Sequence, residues 1–197
     1  MTVKITYFVH ATTTDNEQAR ATGQRPGTLS PLGIQQARDL AKQVGDATFQ
    51  AVFCSDLRRA VHSATLAFGD DHRIIEDERL REIDYGDLTG KKKTWDIKEF
   101  IDTPYPGGES YRDVEKRMVA FLAYLGANYR GKHIAMVAHQ APQLALEVLL
   151  KGKTWERAME EDWRRTDDWQ PGWRYVIEQM GTDSRQVPPW GFSASPG

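Results

Sequence analysis

A chain of 197 residues with 40% hydrophobic and 27% charged residues has the length and mix of one globular domain. Its formal net charge of -2 sets up no global field for nucleic acid or an anionic membrane, so a small anionic substrate needs a local cluster of cations. The single cysteine, Cys54, excludes an internal disulfide framework, and the apolar run Ile5 to Val9 is too short for a signal-peptide core or a membrane span.

Val3 to Val9 is rich in β-branched and aromatic residues and is predicted to be a strand. Ser30-Pro31 opens a helix, with serine as N-cap and proline at the first helical position. Ile34, Ala37, Leu40, Ala41 and Val44 keep helical spacing, and Gly45 closes it. Phe49 to Cys54 is a second strand, Asp56 to Phe68 a helix and Arg73 to Ile75 a short strand. Residues 80–108 carry charges, glycines and prolines, with a weak helix around Trp95 to Ile101. Ser110 caps a longer helix, and Asp113 three residues on completes a capping box. His133 to Ala138 has the composition of a buried strand, followed by a helix from Pro142 to Leu150. A helix from Trp155 to Trp163, a last strand from Trp173 to Ile177 and an aperiodic tail from Pro188 to Gly197 complete the chain. Alternating strands and helices predict a three-layer α/β sandwich with a mainly parallel central sheet, in one domain over residues 1–187 and a loose tail over 188–197.

In such sheets ligands sit beyond the carboxyl ends of the strands. His10 and His139 each follow a strand directly, so both imidazoles belong at that rim. Either histidine alone is weak evidence, since most polar residues at strand ends serve only solvation. Ser55-Asp56-Leu57-Arg58-Arg59-Ala60 brings guanidinium groups to the same rim, and a guanidinium fork matches two phosphate oxygens. In Leu80-Arg81-Glu82-Ile83-Asp84-Tyr85-Gly86 a carboxyl group is available as general acid, although Glu82 alone is one surface acid among many.

Taken together and in this order, these segments resemble the histidine phosphatase superfamily, the phosphoglycerate mutase-like proteins. That family opens with Arg-His-Gly-Glu-Thr after a strand and an Asn three residues beyond the Thr. Here the stretch is Val9-His10-Ala11-Thr12-Thr13, with Asn16 in the Asn place. Thr22-Gly23, Leu29-Ser30-Pro31-Leu32-Gly33, Ser55 to Ala60, Pro106-Gly107-Gly108-Glu109-Ser110 and His139 match later motifs, and the resemblance covers about residues 3 to 150. It implies a metal-independent phosphomonoesterase without a cofactor, acting on a small phosphorylated metabolite in the cytoplasm. The implied roles are His10 as nucleophile through a phosphohistidine, Glu82 as acid and base, and Arg59, His139 and Asn16 as phosphate ligands. Thr22, Gln140 and Arg81 are further substrate contacts. A phosphoglycerate-mutase-type phosphotransferase and a catalytically weakened phosphate-ester binder of the same fold are the alternatives. No nucleic-acid or membrane partner is expected, and the assembly is a monomer or a homodimer.

The chain departs from the pattern at Val9, where the family carries an arginine, and at Ala11, where it carries glycine. Ala138 and Gln140 flank the second histidine where Ser or Thr and Gly are usual. One phosphate-neutralising charge is therefore missing, and Arg20, Arg25 and Arg81 are the candidates to replace it. Cys54 reads as a small core residue, since no arginine follows at the spacing that cysteine phosphatases need. The aromatic segment Trp155, Trp163, Trp169, Trp173 and Tyr175 reads first as packing. A sharper reading makes it a wall of the substrate pocket, with Arg164, Arg165 and Arg174 facing an acidic substrate.

Overall fold

The computed structural model describes residues 2–44, 48–69, 71–166 and 172–178. Gly45, the Trp169 to Pro171 stretch and the tail 188–197 lie outside the described residues. Five strands form one sheet in the order β3-β2-β4-β1-β5, with β1 Val3–Val9, β2 Ala51–Cys54, β3 Ile74–Glu76, β4 His133–Ala138 and β5 Trp173–Ile177. All neighbours run parallel except β5, which lies antiparallel along β1. The mainly parallel sheet expected from the alternation is therefore present.

The central strands β2 and β4 read as near-continuous apolar runs because both faces are covered. On one face, α2 Pro31–Val44 and α3 Arg58–Phe68 close over Phe8, Val52, Cys54, Ala135 and Val137. On the other, α4 Tyr111–Asn128, α5 Gln140–Lys151 and α6 Trp155–Glu160 close over Ile5, Tyr7, Phe53, Ile134 and Met136. Burying each such side chain contributes on the order of 2 kcal/mol. No helix among the described residues is long and apolar enough to cross a membrane.

Local signals in the sequence set several boundaries. Ser30 Oγ accepts the Gly33 amide at 3.2 Å and starts α2. Ser110 and Asp113 form a complete capping box at α4. A second capping box, Thr13 with Asn16, starts a short helix, α1, over Thr14–Glu17. Three expectations need correction. The second strand begins at Ala51, not Phe49, because the Gln50 side chain accepts the His133 amide at 2.7 Å just before the ladder starts. The weak helix near Trp95 is only a 3-10 turn, Ile97–Phe100, capped by Asp96. The helix from Trp155 breaks after Glu160, and α7 Trp163–Thr166 starts afresh beyond Asp162, whose carboxylate accepts the Arg164 amide at 3.2 Å.

Candidate active site

The parallel pairing of β1 with β4 aligns Val9 with Ala138, so the next residue on each strand is a histidine. The His10 amide donates to the Ala138 carbonyl at 2.9 Å, and the two rings sit with centroids 5.0 Å apart. Tyr7 fastens the second histidine: its hydroxyl donates to the His139 carbonyl at 2.6 Å and accepts the His139 amide at 2.9 Å.

His10 Nδ1 lies 2.8 Å from the Ala11 carbonyl oxygen. A carbonyl only accepts, so Nδ1 carries the proton and Nε2 keeps its lone pair. Burial, then the Arg59 guanidinium beside it, brings the His10 pKa from its ordinary 6.5 down to about 3. The ring is thus neutral near pH 7, as a nucleophile must be. His139 is fully buried, and burial followed by Arg59 and His10 holds its pKa well below the usual imidazole value. Both its ring nitrogens are buried without a partner among the described residues. Such atoms are rare in folded proteins unless a ligand completes them.

Arg59 is 1% exposed and is held by its fork. Nη1 donates to the Arg25 carbonyl at 2.8 Å and Nη2 to the Gly23 carbonyl at 2.7 Å, while Nε points to His10 Nε2 at 3.3 Å. The loop 22–27 can come this close because Gly27 has a φ of +55° and no Cβ; a Cβ there would lie 3.2 Å from Arg59 Cδ. One turn further along α3, the Ser63 hydroxyl donates to the Arg59 carbonyl at 2.7 Å and accepts the Ala11 amide at 3.0 Å. The nucleophile segment and the arginine helix are thereby joined.

Glu82 arrives from the loop after β3 and is buried. Its Oε1 accepts the amides of Ile83 and Ala141, both at 3.0 Å, and Oε2 accepts Gln140 N at 3.2 Å. The carboxyl group therefore sits on the N-terminus of α5, directly after His139, where free amides and the helix dipole favour it. The loop is braced from behind by the glycine-rich segment. Gly86 (φ +48°) and Gly108 lie against backbone, where added Cβ atoms would be 2.1 Å from the Pro106 oxygen and 2.3 Å from the Asp84 oxygen. Glu109 accepts the Asp84 amide at 3.0 Å and pairs with Arg117 at 3.1 Å.

The remaining candidates are placed unequally. Asn16 spends Oδ1 on the Thr13 cap, which leaves its Nδ2 as the donor for a ligand. Thr22 is buried in the loop that holds Arg59, and its carbonyl accepts the Arg25 amide at 3.1 Å. Gln140 was expected to donate to substrate, but its Nε2 is engaged by Asp162. Arg81 was expected at the substrate or in place of the missing arginine, but it is ion-paired with Asp56. Arg20 donates to the Gly90 carbonyl at 2.9 Å and Gln18 at 3.0 Å, and Arg25 is exposed. Cys54 is buried, and burial raises its thiol to about 12. Among the tryptophans, Trp155 packs on Tyr111 at 5.2 Å, whereas Trp163 and Trp173 stack at 5.6 Å and line a cavity of about 440 Å³ with Val9, His10 and Ala11. Trp155 therefore packs in the core, while Trp163 and Trp173 border a cavity beside His10.

The geometry puts a neutral imidazole, a second unpartnered imidazole, a buried guanidinium and a carboxyl group at one rim. A sequence model of the histidine phosphatase superfamily (branch 1) matches residues 7–166. The chain is 30% identical over 144 residues to the uncharacterized phosphatase PhoE of Bacillus subtilis, covering 73% of this chain and 75% of that one. It is 32% identical over 152 residues to a 2,3-bisphosphoglycerate-dependent phosphoglycerate mutase of Methylorubrum extorquens, covering 68% and 72%. Bacillus stearothermophilus YhfR shares the fold with a TM-score of 0.75 at 23% identity, covering 91% of this chain and 92% of that one.

Proposed function

The chain belongs to the histidine phosphatase superfamily, and from that premise we propose that it hydrolyses phosphate monoesters of small metabolites through a phosphohistidine on His10. The observation that carries this reading is the bond from His10 Nδ1 to the Ala11 carbonyl, which leaves an unprotonated Nε2 at the rim beside Arg59 and His139.

In the first step Nε2 attacks phosphorus, a P–N bond forms, and the ester P–O bond breaks. Glu82 gives its proton to the departing oxygen, which leaves as the alcohol. In the second step Glu82 takes a proton from water, the water oxygen attacks phosphorus, and the P–N bond breaks to release inorganic phosphate. Arg59 and the single ring N–H of neutral His139 are suited to hold the non-bridging oxygens, where charge spreads in the transition state. Asn16 Nδ2 is a further donor. No metal or cofactor takes part in these steps. The substrate is a small phosphorylated molecule, the compartment the cytoplasm, and the assembly a monomer or homodimer.

His10→Ala should abolish release of phosphate from an aryl phosphate while circular dichroism stays native, and phosphoenzyme trapped on the wild type should be acid-labile and alkali-stable. Wild-type turnover in the variant removes His10 as nucleophile. EDTA should leave the rate unchanged and vanadate, which takes up the five-coordinate geometry, should inhibit. A rate lost in EDTA and restored by a divalent ion refutes the metal-free mechanism. The mutase reading has its own support in the relatives that are mutases. It predicts isomerised product in place of free phosphate.

A further inference from the structure

Val9 leaves the site one cation short, and the three arginines suggested by sequence order are committed elsewhere or exposed. A different guanidinium, that of Arg164, is only partly engaged. Asp162, whose side chain is 3% exposed, lies between the N-terminus of α5 and α7. One of its oxygens takes the Gln140 amide side chain, one residue from His139. The other accepts Arg164 Nη1 at 2.8 Å and the Arg164 backbone amide at 3.2 Å. The guanidinium carbon sits 4.5 Å over the Trp163 ring, and that ring lines the same cavity as Val9 and His10. Arg164 Nη2 is buried with no partner among the described residues. Asp162 balances the charge, but a buried N–H left without an acceptor is costly, and an anionic oxygen is a partner that satisfies it.

We infer that Arg164, steered by Asp162, has taken over from the arginine missing at position 9 and donates from Nη2 to a non-bridging oxygen of the phosphoryl group. The inference rests on the phosphohistidine reading, because it assigns a ligand to the phosphate of that reaction. It also makes sense of Gln140 and Asp162. Gln140 serves as the strut that holds the aspartate, and the aspartate aims the guanidinium. Asp162 and Gln140 are positioning residues here, and Arg164 touches the substrate.

The test compares wild type, Arg164→Ala, Arg164→Lys, Lys93→Ala, the double variant Val9→Arg with Arg164→Ala, and exposed Arg157→Ala as a control. It measures both kcat/KM on an aryl phosphate and equilibrium binding of orthovanadate by calorimetry. One charge-assisted contact corresponds to roughly a 10- to 150-fold loss in each quantity for Arg164→Ala. Arg164→Lys should fall between, and Arg157→Ala should match wild type. Val9→Arg should restore most of the loss in the double variant, which a merely structural role for Arg164 would not allow. Vanadate affinity unchanged in both Arg164 variants overturns the inference, as does a loss confined to Lys93→Ala, whose ammonium lies 4.9 Å over Tyr85. If Arg164→Ala fails to fold, Arg164→Lys decides by the same vanadate criterion. A wild type that binds vanadate but hydrolyses no ester refutes the hydrolase reading and leaves the Arg164 contact standing.

Discussion

Glu82→Gln separates the structural and chemical duties of one side chain. In the wild type its two oxygens take three backbone amides, from Ile83 and Ala141 at 3.0 Å and from Gln140 at 3.2 Å. A carboxamide has one oxygen. If that oxygen keeps the Ile83 and Ala141 amides, its NH2 group faces the Gln140 N–H, donor to donor. One hydrogen bond is lost and the buried Gln140 amide is left facing a donor, at roughly 1–3 kcal/mol. The expected loss of stability is about 1–3 kcal/mol, or roughly 2–12 °C in Tm for a chain of this size. The catalytic loss should depend on the ester. An aryl phosphate with an acidic leaving group needs little protonation and should lose less than about tenfold, whereas an alkyl phosphate should lose roughly 10²–10⁴-fold. Thermal unfolding and kcat/KM across a series of leaving groups measure the two effects independently. Equal losses across the series remove Glu82 as the acid and point to Asp84. A variant with unchanged Tm refutes the account of the α5 amides.

Three further outcomes follow from the geometry. His10 is held near pKa 3 against an ordinary 6.5, and His139 is depressed in the same direction, so the unfolded chain binds more protons than the native one as pH falls below 6.5. Stability should be full above pH 6.5 and fall progressively toward pH 3, each histidine contributing up to ~1.4 kcal/mol per pH unit; His10→Gln should flatten that slope, and an unaltered slope in denaturant titrations refutes it. At Gly33 a Cβ would lie 2.0 Å from the Thr12 carbonyl oxygen, so Gly33→Ala must push α2 away from the nucleophile segment; a fall of about 2 kcal/mol or more in stability, with reduced turnover, is expected, and wild-type behaviour in both refutes the close approach. Cys54 is wholly buried with its thiol raised to about 12, so iodoacetamide should leave native enzyme unmodified and active, and rapid alkylation contradicts its placement.

Much of the fold was legible because it depends on neighbours in sequence. The strands stand out as β-branched runs, and Ser110 with Asp113 announces its helix within four residues. The two histidines were legible as a pair because each ends such a run. What sequence could not give were contacts between distant residues. Nothing near Glu82 says that its partners are the amides of Gln140 and Ala141, 58 and 59 residues away. The spacing around Gln140 likewise does not disclose Asp162, whose buried carboxylate takes its side-chain amide. Sequence order puts Arg81 among the phosphate candidates but does not reveal that Asp56 holds its guanidinium. Ser63 carried a faint signal, four residues after Arg59 on the same face of α3, but its link to Ala11 depends on how that helix meets β1.

The β1–β4 pairing also acts as a ruler. Because Val9 opposes Ala138 and the strands run the same way, the spacing of His10 from His139 is set by one ladder and not by the long stretch of chain between them. Insertions in the intervening loops can accumulate without moving either ring. A single residue added or removed inside Val3–Val9 or His133–Ala138 is another matter, since side chains alternate between faces and one ring would turn away from the other. The chain can therefore drift in its connections while these two short segments tolerate no change of length.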